Sequence, residues 1–113
     1  MDTTKQVELI SEAILDVKGL NLVTINIEER SSFADFMLIC HGTSTAHTQG
    51  IFDSIDRCMK KQKILPLGVE GNNEAQWILM DYNNIVVHIF LESERELYNI
   101  EELYEATREV EKE

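Results

Sequence analysis

The segment Ile85–Leu91 constrains the fold of this chain more than any other part of its sequence. Six of its seven residues are apolar, and His88 is the exception. A strand of this composition has two largely apolar faces, so it has to lie inside a sheet that helices cover on at least one side. We therefore expect Ile85–Leu91 to be a central strand.

A second strand, Trp77–Asp81, precedes it and is expected to pair with it as a hairpin. Residues 82–84 form the turn, where asparagine tolerates the positive φ that hairpin turns require. With a loop of two or four residues, alternation places the following side chains on one face: Trp77, Leu79, Asp81, Val86, His88 and Phe90. The opposite face then carries Ile78, Met80, Val87 and Ile89. A three-residue loop or a bulge would reverse this match.

The rest of the chain alternates helical and extended patterns. Thr3 or Thr4 caps a first helix, and Gly19 is a natural end for it. Pro66 should lie at the start of its strand or on a sheet edge, because it has no N–H to donate. The further expected elements are strands at 22–27, 35–40 and 65–69, a helix from the Gly42-Thr43-Ser44-Thr45 loop to about Lys63, a loop at 70–74, and a helix at 94–109 that breaks near Asn99.

This order predicts an α/β (α+β) fold in which helices pack on a mixed five-stranded sheet. Parallel pairing needs a helical crossover, and only the second helix lies between strands, so a mixed sheet is favoured over a parallel one. We expect residues 1–105 to form a single domain and residues 106–113 to be an acidic C-terminal tail.

The distribution of charge indicates the kind of partner. The chain has ten Lys and Arg against 21 Asp and Glu, a formal net charge of −11. Residues 64–94 contain no Lys or Arg, although they include the single tryptophan, Trp77, and five acidic residues: Glu70, Glu74, Asp81, Glu92 and Glu94. This segment is typical of a docking surface for a positively charged protein. It argues against direct binding of nucleic acid, because phosphate contacts are made chiefly by Lys and Arg.

Trp77 itself has two interpretations. A lone tryptophan often fills a core beneath a helix. It is also enriched at the energetic centres of protein interfaces. Several residues near one predicted sheet edge favour the interface without excluding the core: Pro66, Leu67, Glu70, Gly71, Leu79 and Asp81.

The cysteines and the apolar runs bear on the compartment. Cys40 and Cys58 are too few for a disulfide framework and lack zinc-site spacing, so we expect buried thiols in a reducing environment. No secretory leader is recognisable, and no apolar run approaches the roughly 18 to 20 residues that span a bilayer. We expect a cytoplasmic protein without a membrane segment, metal or cofactor.

The segment Gly42-Thr43-Ser44 is the part most open to a catalytic interpretation, because small residues before a helix can present N–H groups to phosphate. The phosphate-binding motifs GxxxxGK[ST] and GxGxxG are absent, as is a convergent pair of carboxylates. Helix capping is the simpler interpretation, and His88 is expected to be half-buried and hydrogen-bonded across the sheet. A nucleotide-binding or nucleotidyltransferase-like enzyme stays the alternative function.

Several ordered motifs give the chain a family resemblance that covers nearly its whole length. These motifs are residues 32–44, 65–71, 77–82, 86–90 and 95–104. Together they resemble the Iojap-like ribosomal silencing factors. The resemblance implies a nucleotidyltransferase-like fold without nucleotidyltransferase activity.

The resemblance also implies a function and a partner. Such a factor binds ribosomal protein number fourteen of the large subunit, blocks joining of the small subunit sterically, and represses translation when nutrients are scarce. We expect the following residues to form the contact: Pro66, Leu67, Glu70, Gly71, Trp77, Leu79, Asp81, His88 and Tyr98. A homodimer of the free protein is left open, and a homodimeric regulatory scaffold without a ribosomal role is a second alternative.

Overall fold

The computed structural model describes residues 2–29 and 34–100, and within these ranges the chain forms three helices and five strands. The order of elements is the one that the sequence predicts. In chain order they are α1 (Thr3–Asp16), β1 (Leu20–Asn26), β2 (Phe36–Gly42), α2 (Thr45–Lys61), β3 (Gly68–Glu70), β4 (Trp77–Asp81), β5 (Ile85–Leu91) and α3 (Glu92–Tyr98).

The five strands form one mixed sheet in the order β1-β2-β5-β4-β3. β5 lies in the middle, parallel to β2 and antiparallel to β4, while the two outer pairs are antiparallel. The long connection that parallel strands require contains α2 and the β3–β4 pair. The predictions of a mixed sheet and of a central strand at Ile85–Leu91 are therefore confirmed.

Each face of the sheet has its own apolar cluster. α1 and α2 pack on one face, and the larger cluster lies between them and the strands; it includes Ile10, Ile14, Leu38, Ile51, Ile55, Met59, Ile78, Met80, Val87 and Ile89. The second cluster lies on the opposite face; it includes Ile25, Ile27, Met37, Ile39, Val86 and Phe90, with Trp77 and Leu79 partly buried against it. Having both faces covered explains why β5 is apolar on both sides.

The hairpin between β4 and β5 confirms the predicted assignment of faces. Asp81 lies opposite Val86, so four residues separate the paired positions. Tyr82 donates its N–H to the Ile85 carbonyl at 2.8 Å, and Asn83 adopts a positive φ of 76°. Asn83 also donates its N–H to Asp81 Oδ1 at 2.8 Å, which ties the turn to the end of β4. The even separation keeps alternate residues of both strands on one face.

The start of α1 differs from the prediction. Asp2, and neither Thr3 nor Thr4, is the N-cap, and its carboxylate accepts the N–H of Lys5 at 2.8 Å. Aspartate and threonine are both good N-cap residues, so their side chains alone do not determine which one caps the helix. The N-cap is the residue three positions before a free N–H group of the first turn, here that of Lys5.

Both long helices end with a lysine in the left-handed conformation. After α1, Lys18 has φ 60° and Gly19 donates its N–H to the Ile14 carbonyl at 2.9 Å. After α2, Lys63 has φ 61° and Ile64 donates to the Met59 carbonyl at 3.0 Å. Gly19 does not have a positive φ. Glycine is needed there because a Cβ would overlap the side chain of Ile14.

The structure moves several predicted boundaries; among the smaller shifts, β2 ends at Gly42, α2 ends at Lys61 and α3 begins at Glu92. β3 covers Gly68–Glu70 instead of 65–69, so Glu70 belongs to the strand and not to the following loop. Pro66 lies before this edge strand, as expected, and pairing begins where Leu67 donates its N–H to the Asp81 carbonyl at 2.7 Å. β1 starts two residues earlier than predicted, at Leu20, and its register shifts between Leu20 and Val23.

The last helix ends where the sequence predicts a break. Asn99 has φ 44° and donates its N–H to the Arg95 carbonyl at 2.8 Å. The part of the predicted helix after Ile100 and the predicted acidic tail at 106–113 lie outside the described residues. Among the residues that are described, every helix is too short or too polar to span a bilayer.

Candidate protein-binding surface

The sheet face opposite α1 and α2 carries an aromatic cluster of Trp77, His88, Phe90 and Tyr98. Trp77 and Phe90 lie opposite each other on β4 and β5, with ring centroids 4.9 Å apart and planes inclined by 29°. Tyr98, from α3, also contacts the indole, with ring centroids 4.6 Å apart and planes inclined by 43°. Phe90 is fully buried, Trp77 is half-buried and Tyr98 is 49% exposed, so the cluster runs from the core to the surface.

A hydrogen bond joins two members of this cluster. The indole Nε1–H of Trp77 donates to Nδ1 of His88 at 3.0 Å. Because the indole nitrogen is only a donor, Nδ1 has to be unprotonated, and the neutral ring carries its proton on Nε2. Burial lowers the pKa of His88 from 6.5 to about 4, so the ring is neutral at pH 7. The predicted cross-sheet hydrogen bond is confirmed, although His88 is more buried than expected, at 8% exposed.

Beside the cluster, a row of paired residues leads to the β3 edge. His88 lies opposite Leu79, and Leu79 lies opposite Glu70. Glu70 is exposed and Leu79 is half-buried, so an apolar position adjoins an acidic one at this edge. Asp81 pairs with Gly68 two residues further along the strands, and one of its carboxylate oxygens accepts a hydrogen bond in the hairpin turn.

The segment before β3 exposes two large apolar side chains. Leu67 is 71% exposed and Leu65 is 65% exposed, on either side of Pro66. Single exposed leucines are ordinary, but two of them before an edge strand add apolar area at the β3 edge of the sheet. Leu65 and Phe90 were absent from the predicted contact residues. The alternation that placed Phe90 on the face of Trp77 was the signal that could have included it.

Gly71 has a structural role that its place among the predicted contact residues did not anticipate. Its φ is 80°, and a Cβ there would overlap the carbonyl oxygen of Trp77. Its own carbonyl accepts the N–H of Ala75 at 2.9 Å, which closes the loop before β4. Gly71 therefore allows this loop to pass directly against the backbone of Trp77.

The structure brings four of the nine predicted contact residues together around Trp77 and His88. Trp77 contacts both His88 and Tyr98, and Leu79 lies opposite His88 on the neighbouring strand. The remaining five lie before β3, on it, in the loop after it, or at the end of its partner strand β4: Pro66, Leu67, Glu70, Gly71 and Asp81.

The loop considered for phosphate binding is occupied by contacts within the chain. Ser44 caps α2, and its Oγ accepts the N–H of His47 at 3.0 Å. Thr43 donates its N–H to Nδ1 of His47 at 3.0 Å, and Nε2 of the same ring lies 2.8 Å from the Val17 carbonyl. The predicted capping role is confirmed. No sequence pattern predicted that His47 links the start of α2 to the end of α1.

A buried polar group holds α3 against the end of the sheet. Arg95 is 8% exposed, and its Nη1 donates to Nδ1 of His41 at 2.9 Å and to the Leu20 carbonyl at 3.3 Å. Glu92 lies 3.6 Å from the other ring nitrogen of His41. These residues border a shallow cleft of about 500 Å³. Their evident role is to fix α3, and with it Tyr98, beside Trp77.

The described residues give little support for a metal site or a reactive cysteine. Its His, Cys, Asp and Glu residues include no group of three or more placed to hold a metal ion. Cys40 is fully buried, and burial raises the pKa of its thiol to about 12, so it is an inert core residue as predicted. Cys58 is half-buried, and its Sγ lies 3.7 Å from the Leu9 carbonyl.

Comparison with known proteins gives a consistent result. All of residues 1–113 match the family described as "Ribosomal silencing factor during starvation". Ribosomal silencing factor RsfS of Halalkalibacterium halodurans is 36% identical over 104 residues, which cover 92% of this chain and 89% of that protein. A mouse protein named "Mitochondrial assembly of ribosomal large subunit protein 1" is 22% identical over 101 residues, covering 87% of this chain and 44% of that protein.

Two crystal structures of bacterial proteins have the same fold. One, from Chromobacterium violaceum, matches with a TM-score of 0.90 at 27% identity, covering 92% of this chain and 87% of that chain. The other, from Bacillus halodurans, matches with a TM-score of 0.83 at 34% identity, covering 90% of this chain and 95% of that chain. The predicted α+β class with a mixed five-stranded sheet is confirmed.

Proposed function

Because this chain belongs to the family of ribosomal silencing factors, we propose that it binds the large ribosomal subunit through a basic protein, ribosomal protein number fourteen, and thereby keeps the small subunit from joining. The family resemblance predicted from the sequence is confirmed by the match over the whole chain. Membership also confirms that the chain represses translation and is not an enzyme, since silencing factors act by binding the ribosome.

One observation carries the choice of partner: the segment without Lys or Arg folds into three adjacent strands around the aromatic cluster. Residues 64–94 contain all of β3, β4 and β5. Glu70 and Glu74 are exposed, and Trp77 is half-buried. A half-buried aromatic anchor with an acidic rim suits a partner that offers Lys and Arg around an apolar pocket.

Anchor and rim have different tasks in this proposal. Trp77, with Leu79 two residues along β4 on the same face, removes apolar surface from water and sets the lifetime of the complex. Exposed acids such as Glu70 attract a basic partner over a distance of about one Debye length, roughly 8 Å at physiological salt, and set the rate of encounter. Inhibition then follows from occupied space, one factor for each subunit, and requires no chemical step.

The large subunit as the target agrees with the name of the mouse relative. We place the protein in the cytoplasm, where bacterial ribosomes work. A homodimer of the free protein that covers the same sheet edge stays a prediction, and sedimentation equilibrium of the purified chain tests it.

Sucrose-gradient sedimentation with purified ribosomal subunits tests the proposal. The protein should sediment with large subunits and lower the fraction of joined ribosomes when it is added before the small subunits. Trp77→Ala should lose both effects. Leu15→Ala, which changes an exposed leucine on α1, should keep them. If joined ribosomes stay intact and the wild-type protein stays at the top of the gradient, the proposal is wrong.

A further inference from the structure

The indole N–H of Trp77 has its acceptor inside the sheet and not in solvent or in a partner. We propose that His88 is a positioning residue, which holds the indole of Trp77 in the single orientation that the ribosomal partner meets. This inference rests on the proposed function for the role of Trp77, and it adds the group that orients the anchor. His88 would then act through Trp77 without needing to touch the partner.

Ring contacts and the hydrogen bond constrain different parts of the indole. Trp77 packs against Phe90 with centroids 4.9 Å apart and against Tyr98 at 4.6 Å. Contacts between rings tolerate small rotations and shifts of the indole. The hydrogen bond is directional and requires the Nε1 edge to face Nδ1 of His88, at a separation of 3.0 Å.

The strand register makes this bond a link between two strands. Trp77 lies opposite Phe90 on β5, and His88 lies opposite Leu79 on β4, so the two bonded residues are diagonal neighbours. His88 is 8% exposed and mid-strand, which leaves its ring little freedom to turn away. Without an acceptor, the indole N–H would either stay unpaired beside the core or rotate towards water. Either result changes the surface that a partner contacts.

The charge of His88 provides an independent readout, because a protonated ring cannot accept the indole N–H. Burial lowers the pKa of His88 to about 4. Other ionisable groups face this region from the neighbouring elements; they are Glu70 on β3, Asp81 on β4, His41 on β2, and Arg95 and Tyr98 on α3. The bond should therefore hold at pH 7 and break near pH 4.

The orientation can be tested in the free protein by NMR, because one tryptophan gives one indole N–H signal. His88→Leu introduces an apolar side chain of similar size and removes the acceptor, whereas His88→Asn places a carbonyl oxygen near the position of Nδ1. We expect the leucine variant to shift the indole resonance and to speed its exchange with water at least tenfold. The asparagine variant should restore most of the protection.

A control separates positioning from a general loss of stability. Val87→Ala weakens the core on the opposite face of the same strand and leaves the bond between Trp77 and His88 in place. Its indole resonance should match that of the wild type. The proposal is overturned if the wild-type indole N–H exchanges as fast as a free indole, or if His88→Leu changes neither its resonance nor its exchange.

Binding to isolated large subunits then tests the consequence. His88→Leu should raise the dissociation rate about tenfold, and His88→Asn should stay within about threefold of the wild type. An unchanged rate in His88→Leu, with the indole bond lost, would overturn positioning. A wild-type protein with a protected indole N–H but no affinity for large subunits would instead refute the proposed function, and the two failures are therefore distinguishable.

Discussion

Acidification from pH 7 to pH 4 should remove a defined part of the stability of this protein through His88. In the unfolded chain the ring titrates near its ordinary pKa of 6.5, whereas burial lowers the folded pKa to about 4. As the pH falls through 6.5, His88 becomes protonated in the unfolded state but stays neutral in the folded state. The contribution of His88 to the free energy of unfolding is therefore complete above pH 6.5. It decreases between pH 6.5 and about 4, and it changes no further below that.

The magnitude follows from the size of the shift. One pKa unit corresponds to about 1.4 kcal/mol, so a change from 6.5 to about 4 amounts to about 3 kcal/mol in the free energy of unfolding. A typical domain has a total of about 5–15 kcal/mol. A loss of this size is therefore easily measured.

Urea unfolding at a series of pH values between 7 and 4 measures this loss in the wild type and in His88→Asn. Asparagine can accept the indole N–H but does not titrate, so the variant should lose about 3 kcal/mol less than the wild type over this range. Val87→Ala is less stable at every pH but keeps His88, and its curve should run parallel to that of the wild type. Parallel curves for His88→Asn and the wild type would refute the assignment of this pH dependence to His88.

Three further predictions concern the surface and a helix end. Trp77→Ala should weaken binding to large subunits by about 2 kcal/mol or more, mainly through faster dissociation measured by surface plasmon resonance; if both affinity and fold are unchanged, Trp77 is not the anchor. Glu70→Gln together with Glu74→Gln should slow association and flatten its salt dependence while dissociation changes little, and an unaltered association rate would argue against acidic steering. Lys63→Gly should raise the free energy of unfolding by about 0.5–1 kcal/mol, since the lysine has a φ of 61° that glycine adopts without strain; denaturation showing a loss of stability would contradict this.

The sheet was largely predictable because its information is local and repeated along the chain. The apolar run at Ile85–Leu91 required a central strand, and alternation with an even hairpin loop assigned the faces of β4 and β5. Asn83 supplied the positive φ, and Asn99 ended α3 where a break was expected. The boundaries were less predictable, since Asp2 and the threonines beside it all have capping side chains.

The candidate surface was predicted in outline but not in its connections. Periodicity placed Trp77 and His88 on one face, yet it contains no information on which side-chain atoms meet. The positive φ of Gly71, the ring of His47 between two helices and the burial of Arg95 against His41 all depend on segments that are distant in sequence.

The amino-acid sequence by itself determined the order of elements, the central strand, the two faces of the sheet and the absence of positive charge from residues 64–94. These follow from periodicity and composition, which any short window of the chain displays. Only the tertiary structure decided that Trp77 is half-buried, donates to His88 and meets Tyr98 from α3. Directional contacts of this kind require atoms to be placed within a few tenths of an ångström, and that placement comes from the packing of the whole domain.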